Sequence, residues 1–151
     1  MDERGRVYRT NVVPPDLPEQ VVPGTAQQTV QALVGVYESL GLSVNTIDWN
    51  TGLVGARGFV APRRVAGATL SRYLDCGASQ VGQLRADSYA ITLDVESWAK
   101  PKEAGQVVVS TRTSATARQR GVSGDPLPCT TTTALEKRIH LELARRLAGG
   151  G

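Results

Sequence analysis

Residues 89–117, YAITLDVESWAKPKEAGQVVVSTRTSATA, decide the fold. In the first part Tyr89, Ile91, Leu93 and Val95 share one side of an extended chain, while Asp94 and Glu96 lie on the other. A period of two with one apolar side is the pattern of a half-buried strand. Val107 to Ala117 alternates again, with apolar or small residues at the odd numbers. Between them, Ala99 to Gln106 contains Pro101, Gly105 and three charges, which read as a turn. The stretch therefore predicts a long antiparallel pair, and such a sheet needs cover on its apolar face.

Two amphipathic helices supply that cover. Thr25-Ala26-Gln27-Gln28 fits a capping box, and Val30, Leu33, Val34, Tyr37 and Leu40 follow at spacings of three and four up to Gly41, a C-terminal cap. Thr133-Ala134-Leu135-Glu136 repeats the capping pattern, and Leu135, Ile139, Leu143 and Leu147 line one face of a last helix that ends in Gly149-Gly150-Gly151. Leu42 to Ile47 reads as a strand, Asp48 to Gly52 as a turn and Leu53 to Val60 as the hairpin partner. Ala68 to Leu74 predicts a short helix with Leu70, Tyr73 and Leu74 inward, and Val7 to Val13 predicts an edge strand closed by Pro14-Pro15 and Pro18. The fold class expected is α+β, a two-layer antiparallel sheet covered by two helices in a helix-grip-like arrangement with a long C-terminal helix. The expected organisation is an extended segment with its opening strand over 1–22, a single α+β domain over 23–148, and a glycine tail over 149–151.

At 151 residues the chain is long enough to bury roughly two thirds of its unfolded surface without a covalent staple. Its cysteines, Cys76 and Cys129, both fall in polar, Gly- or Pro-rich stretches rather than on an apolar face, which predicts a disulfide between them. Closing so long a loop contributes about 4 kcal/mol on the chain-entropy estimate. It also implies an oxidising, periplasmic or otherwise extracytoplasmic setting. No run approaches the roughly 20 apolar residues of a membrane span, and the opening Met1-Asp2-Glu3-Arg4-Gly5-Arg6 is polar rather than signal-like, so any export signal is expected to lie outside this chain.

Reactive chemistry is not expected. One histidine and two cysteines far apart cannot make the usual four-ligand zinc set, so no metal and no cofactor is predicted. His140 turns to the flank of the Leu135-Ile139-Leu143 stripe and is expected as a partly exposed surface residue rather than a catalytic base. No Gly-x-Ser-x-Gly elbow occurs. Asp87, Asp94 and Glu96 read as charges on a solvated strand face, and the glycines Gly52, Gly55 and Gly58 lead into a strand rather than a phosphate-binding helix. No catalytic residue is assigned, and the protein is expected not to be an enzyme.

Net charge is only +3, from 17 basic and 14 acidic residues, and does not imply nucleic-acid binding; few aromatics are available for base stacking. Positive charge is nevertheless grouped. Arg57, Arg63 and Arg64 flank one strand and Arg112, Arg118 and Arg120 another, so neighbouring strands would make an arginine-rich docking face for a protein partner or for anionic lipid headgroups.

Val34-Gly35-Val36-Tyr37-Glu38-Ser39-Leu40-Gly41-Leu42-Ser43-Val44-Asn45, with Asp48 to Gly52 and the strand after it, resembles the repeated domain of BamC-like bacterial outer-membrane lipoproteins. The similarity covers residues 25–60 in motif and the remainder in element order. It implies a non-enzymatic accessory or scaffold subunit that docks on a larger membrane-associated complex, peripheral to a membrane. The cysteine pair and the lack of a lipobox cysteine near the start depart from that family. The alternative from a different class is a small-ligand or lipid-binding carrier, using a cleft between the C-terminal helix and the sheet.

Overall fold

A computed structural model describes residues 17–121 and 124–149. The elements in order are β1 (Glu19–Pro23), α1 (Ala26–Ser39), β2 (Thr46–Asp48), β3 (Leu53–Val60), β4 (Arg64–Val65), β5 (Ala68–Thr69), a 3-10 turn (Leu70–Arg72), β6 (Leu74–Asp75), α2 (Arg85–Ser88), β7 (Ala90–Pro101), β8 (Gln106–Arg118), β9 (Leu127–Thr131) and α3 (Ala134–Gly149). Seven strands form one antiparallel sheet in the order β2-β3-β7-β8-β9-β6, with β1 joined to β8; β4 and β5 make a separate two-stranded ribbon. The fold is α+β, as the alternation over 89–117 predicts.

The hairpin β7–β8 is the spine. Twelve residues of each strand pair in continuous register, from Ala90 opposite Arg118 to Pro101 opposite Val107. The outer edge of β8 is shared: Glu19–Pro23 takes residues 106–110 and Leu127–Cys129 takes 115–117. Helices α1 and α3 lie side by side on the face carrying Ile91, Leu93, Val95, Val107 and Val109. Leu33 and Val36 of α1 and Leu135, Ile139 and Leu143 of α3 are wholly buried there. Each such side chain contributes about 1.5–3 kcal/mol of transfer free energy, so the helix stripes hold the two layers together. No helix among the described residues is long and apolar enough to cross a membrane.

Local chemistry starts and stops α1 as the sequence predicts. Thr25 Oγ1 accepts from the Gln28 amide at 3.1 Å while Gln28 Oε1 accepts from the Thr25 amide at 3.0 Å, a complete capping box. At the other end Gly41 adopts φ +82°, its N–H donates to Glu38 O, and the Leu42 N–H donates to Tyr37 O. That pair of bonds is a Schellman motif, which uses Leu42 as the apolar residue packed back on the helix. The strand expected over 42–47 is accordingly shortened to Thr46–Asp48, because Leu42 belongs to the helix cap.

Other expectations are corrected. The short helix over 68–74 is instead a β-ribbon, a 3-10 turn and a two-residue strand, although Leu70, Tyr73 and Leu74 are buried as expected. Their three- and four-residue spacing fits a bent chain as well as a helix. Strand β7 runs through Ala99 to Pro101, so the turn is confined to 102–105. Thr133 does not cap α3: its φ is +70°, and the caps come from one and two residues earlier. Thr132 Oγ1 accepts from the Ala134 amide, and Thr131 Oγ1 accepts from the Thr133 amide at 3.0 Å while donating to the buried Glu136 carboxylate at 2.8 Å. Val7–Val13 lies outside the described residues. Of the expected domain limits, residue 22 falls within β1, which belongs to the main sheet.

Cys76 and Cys129 are joined by a disulfide. Their setting differs from a loop-to-loop bridge: Cys129 is within β9 and Cys76 directly follows β6, and these two strands pair through Leu74–Thr131 and Asp75–Thr130. Pro128 lies where β9 pairs with β8 alone, since β6 takes only residues 130 and 131, so its missing N–H need not cost a ladder bond.

Candidate functional site

Among the described residues, helices cover only one face of the sheet. The even-numbered side chains of β7 and β8 point to the other, and a concavity of about 980 Å³ lies there. Both tryptophans of the chain line it, Trp98 from β7 and Trp49 from the β2–β3 turn, together with Arg57, Asp94, Glu96 and Arg112. Its wall is built by the turn 49–52, which brings Gly52 against β7: the Ala99 N–H donates to Gly52 O at 2.9 Å. A Cβ on Gly52 would stand 2.0 Å from Ala99 O, so only glycine permits this approach.

Arg57 reaches the concavity by strand alternation, two residues after Gly55, which pairs with Glu96, and β3 carries a bulge just beyond. Ala56 pairs with Val95 and Phe59 with Leu93, leaving Arg57 and Gly58 together opposite Asp94. Gly58 has φ +63°, and its amide donates to Asp94 Oδ1 at 2.7 Å. Asn45 holds the bulge from the other side: its Oδ1 accepts from the Arg57 amide at 3.0 Å and its Nδ2 donates to Arg57 O at 2.6 Å. The extra residue returns Phe59 to the apolar face opposite Leu93, where it packs against the core, a use of bulges seen where a side chain must be re-aimed.

Glu96 is the centre of the site. Arg57 forks onto Oε2 with Nε at 2.7 Å and Nη2 at 2.5 Å, and Arg112, directly opposite Glu96 in the ladder, donates Nη2 to Oε1. The Arg112 guanidinium also lies 5.4 Å from the Trp98 ring centroid, a cation–π arrangement. Burial by itself would raise the Glu96 carboxyl, but hydrogen bonds and charge from Arg112 and Arg57 outweigh it and hold the group below the ordinary carboxylate range. The expectation of a solvated acid is thereby corrected: Glu96 is 4% exposed, screened by the two arginines. The cluster carries two positive charges for one negative and is backed by Trp98, with Asp94 on the same lining.

The six arginines expected to share a docking face are distributed over the molecule. Arg57 and Arg112 meet at Glu96. Arg63 and Arg120 instead donate to Asp87 O and Ser88 O at the C-terminal end of α2, at 3.4 and 3.3 Å. Arg118 stands opposite Ala90 at the same end of the hairpin, and Arg64 donates to Gly67 O in the β4–β5 turn. Arg63 and Arg64 lie beyond the end of β3 at Val60, so they leave the sheet face that Arg57 occupies.

A second polar group is buried under the helices. Tyr37 Oη and Ser97 Oγ are 2.7 Å apart, Ser97 Oγ and Thr111 Oγ1 2.8 Å, and Thr111 Oγ1 and His140 Nε2 2.8 Å, a chain from α1 through paired residues of β7 and β8 to α3. His140 is therefore not a surface residue; it is 8% exposed. Burial pushes its pKa down to about 4 and pushes the Tyr37 phenol above its usual range, so both are neutral at ordinary pH. The α3 stripe is wide enough to include position 140, and the hydroxyls at 97 and 111 make its burial tolerable. Ser97, Thr111 and Tyr37 are wholly buried, which gives this chain of groups a structural role. Neither a protein-family model, nor a curated protein, nor a solved structure matches the chain.

Proposed function

We propose that this protein is a non-enzymatic accessory subunit of the extracytoplasmic space, which docks on a membrane-associated protein complex through the sheet face that no described helix covers. The observation that carries the reading is the Arg57–Glu96–Arg112 cluster backed by Trp98. Arginine and tryptophan are the residue types that dominate binding energy at protein interfaces, and here they are already ordered, which lowers the entropy cost of association. The disulfide supports an oxidising compartment. The resemblance of residues 25–60 to BamC-like lipoprotein repeats supports a membrane-associated partner. The carrier reading receives less support, since the layer between α3 and the sheet is filled by Leu135, Ile139 and Leu143, each wholly buried.

The test uses exposed positions that line the concavity without holding the cluster. The disulfide-bonded chain, its Trp49→Ala variant and its Ser114→Arg variant are each used to recover partners from detergent-solubilised membranes of cells that make the protein. A partner held by the parent chain, lost by both variants and able to retain the chain in the reciprocal experiment is the expected result. Equal recovery by all three proteins, with thermal unfolding unchanged, rejects the concavity as the docking site.

A further inference from the structure

Away from the concavity, the end of the sheet where β7 begins combines exposed aliphatic side chains with arginines. Val60 closes β3 there, opposite Thr92, and is 74% exposed. The chain before α2 folds into a small hairpin: Ala78 bridges Leu84, the Ser79 N–H donates to Gln83 O and the Gly82 N–H to Ser79 O. Its turn presents Val81 at 80% exposure, and Leu84 at its base is 52% exposed. Burying none of these in the core leaves an unfavourable apolar surface that water must cover.

The arginines at this end differ in kind from those at Glu96. Arg63 and Arg120 are oriented by the carbonyl oxygens of Asp87 and Ser88, which fix a guanidinium without neutralising it. Arg118 is exposed on the last residue of β8. The nearby Asp87 has its Oδ1 engaged by the Ser71 amide at 2.9 Å, and Asp125 lies beside Arg118. Aliphatic side chains projecting from a turn, flanked by oriented cations, match the layered chemistry of an anionic bilayer: phosphates at the level of the arginines, and acyl chains just below for Val81 and Leu84.

We infer that this end of the molecule, formed by the 78–84 hairpin, the end of β3 and the arginines Arg63, Arg118 and Arg120, seats reversibly on an anionic lipid surface. The inference deepens the proposed docking function by giving the membrane side of the subunit, and it rests on that reading only for its biological setting. The sheet face with the concavity is then left available to a protein partner beside the bilayer.

The experiment is co-sedimentation of the full disulfide-bonded chain with phosphatidylcholine vesicles containing about 30% phosphatidylglycerol, at about 0.1 M and about 0.5 M salt. Binding is expected with the anionic vesicles at low salt, with a large loss at high salt and none with pure phosphatidylcholine. Arg118→Gln and Arg120→Gln should each weaken partitioning about fivefold, from roughly one unit charge removed at the surface. The double variant Val81→Asp, Leu84→Asp should abolish it, while Lys102→Glu, in the turn at the opposite end, should leave it intact. Absence of binding to anionic vesicles, equal binding to neutral ones, or equal loss in Lys102→Glu overturns the inference. If the vesicles are ignored but Val81→Asp, Leu84→Asp prevents recovery of a solubilised protein partner, the surface is a protein contact and the lipid inference is likewise overturned. Because the partner experiment contains no bilayer, failure here leaves docking through the concavity standing.

Discussion

At the scale of single residues, the two groups that matter most are ionisable side chains placed where charge is controlled. Glu96 is kept ionised by two arginines, whereas His140 is kept neutral by burial against Thr111. For His140 the sign of the pH effect follows from its depressed pKa. The unfolded chain takes up a proton near pH 6.5 that the folded chain refuses until about 4, so stability is full above that window and falls as pH drops through it. The total loss is roughly 3 kcal/mol, at about 1.4 kcal/mol per unit of pKa difference. Urea unfolding at about pH 7.5 and about pH 5 should therefore show a drop of roughly 2 kcal/mol in the parent chain, and His140→Gln should remove most of that drop. An equal drop in both proteins would assign the acid sensitivity elsewhere. Glu96 adds a separate loss at lower pH, since its stabilising charge disappears only as pH falls through its lowered pKa.

At the scale of elements, the β2–β3 hairpin is positioned by one backbone contact that forbids a side chain. Gly52 has φ +73° and lies against the Ala99 backbone, so Gly52→Ala combines an unfavourable dihedral with a clash against main chain that cannot swing aside. The expected cost is about 3 kcal/mol or more, with the hairpin displaced from β7. Gly58→Ala, at φ +63° but with nothing within 4 Å of its Cβ, is the comparison: it should cost about 1 kcal/mol from the dihedral alone. Thermal unfolding of both variants measures the difference, and similar losses would mean the turn relaxes away from Ala99. The same hairpin carries Trp49 and Arg57, so its displacement should open the concavity as well.

For the molecule as a whole, the sheet has a continuous centre and a stitched edge. β7, β8, β3, α1 and α3 enclose the main core, while β6 joins the sheet through two residue pairs with β9 and the Cys76–Cys129 bond, with Leu70, Tyr73 and Leu74 packed into the core beneath it. Removal of the disulfide by Cys76→Ser, Cys129→Ser should cost up to about 4 kcal/mol, because the unfolded chain regains the freedom of a long loop. The folded state should persist, with faster amide exchange concentrated in residues 62–84 and 124–131. Exchange that accelerates equally in β7 and β8 would show that the edge and the centre unfold as one unit.

Periodicity was sufficient to specify the α+β class, the long β7–β8 pair and the inward stripes of both helices, because alternation and three-four spacing record which side of an element is dry. The Thr25–Gln28 cap, the Gly41 stop and the disulfide were also legible, as they depend on residue types with narrow conformational or chemical uses. The strand over 42–47, the helix over 68–74 and the cap at Thr133 were not, since each local pattern has a second backbone solution that tertiary contacts select. The gathering of Arg57 and Arg112 on Glu96 depends on the cross-strand registers of β3 and β8 with β7, and the burial of His140 depends on hydroxyls from two distant strands. Both are relations between residues far apart in sequence, and strand alternation or helical period says nothing of which neighbour a charged side chain will meet. The local alphabet thus determined the elements and their dry faces, and only packing decided which polar groups became a site and which became part of the core.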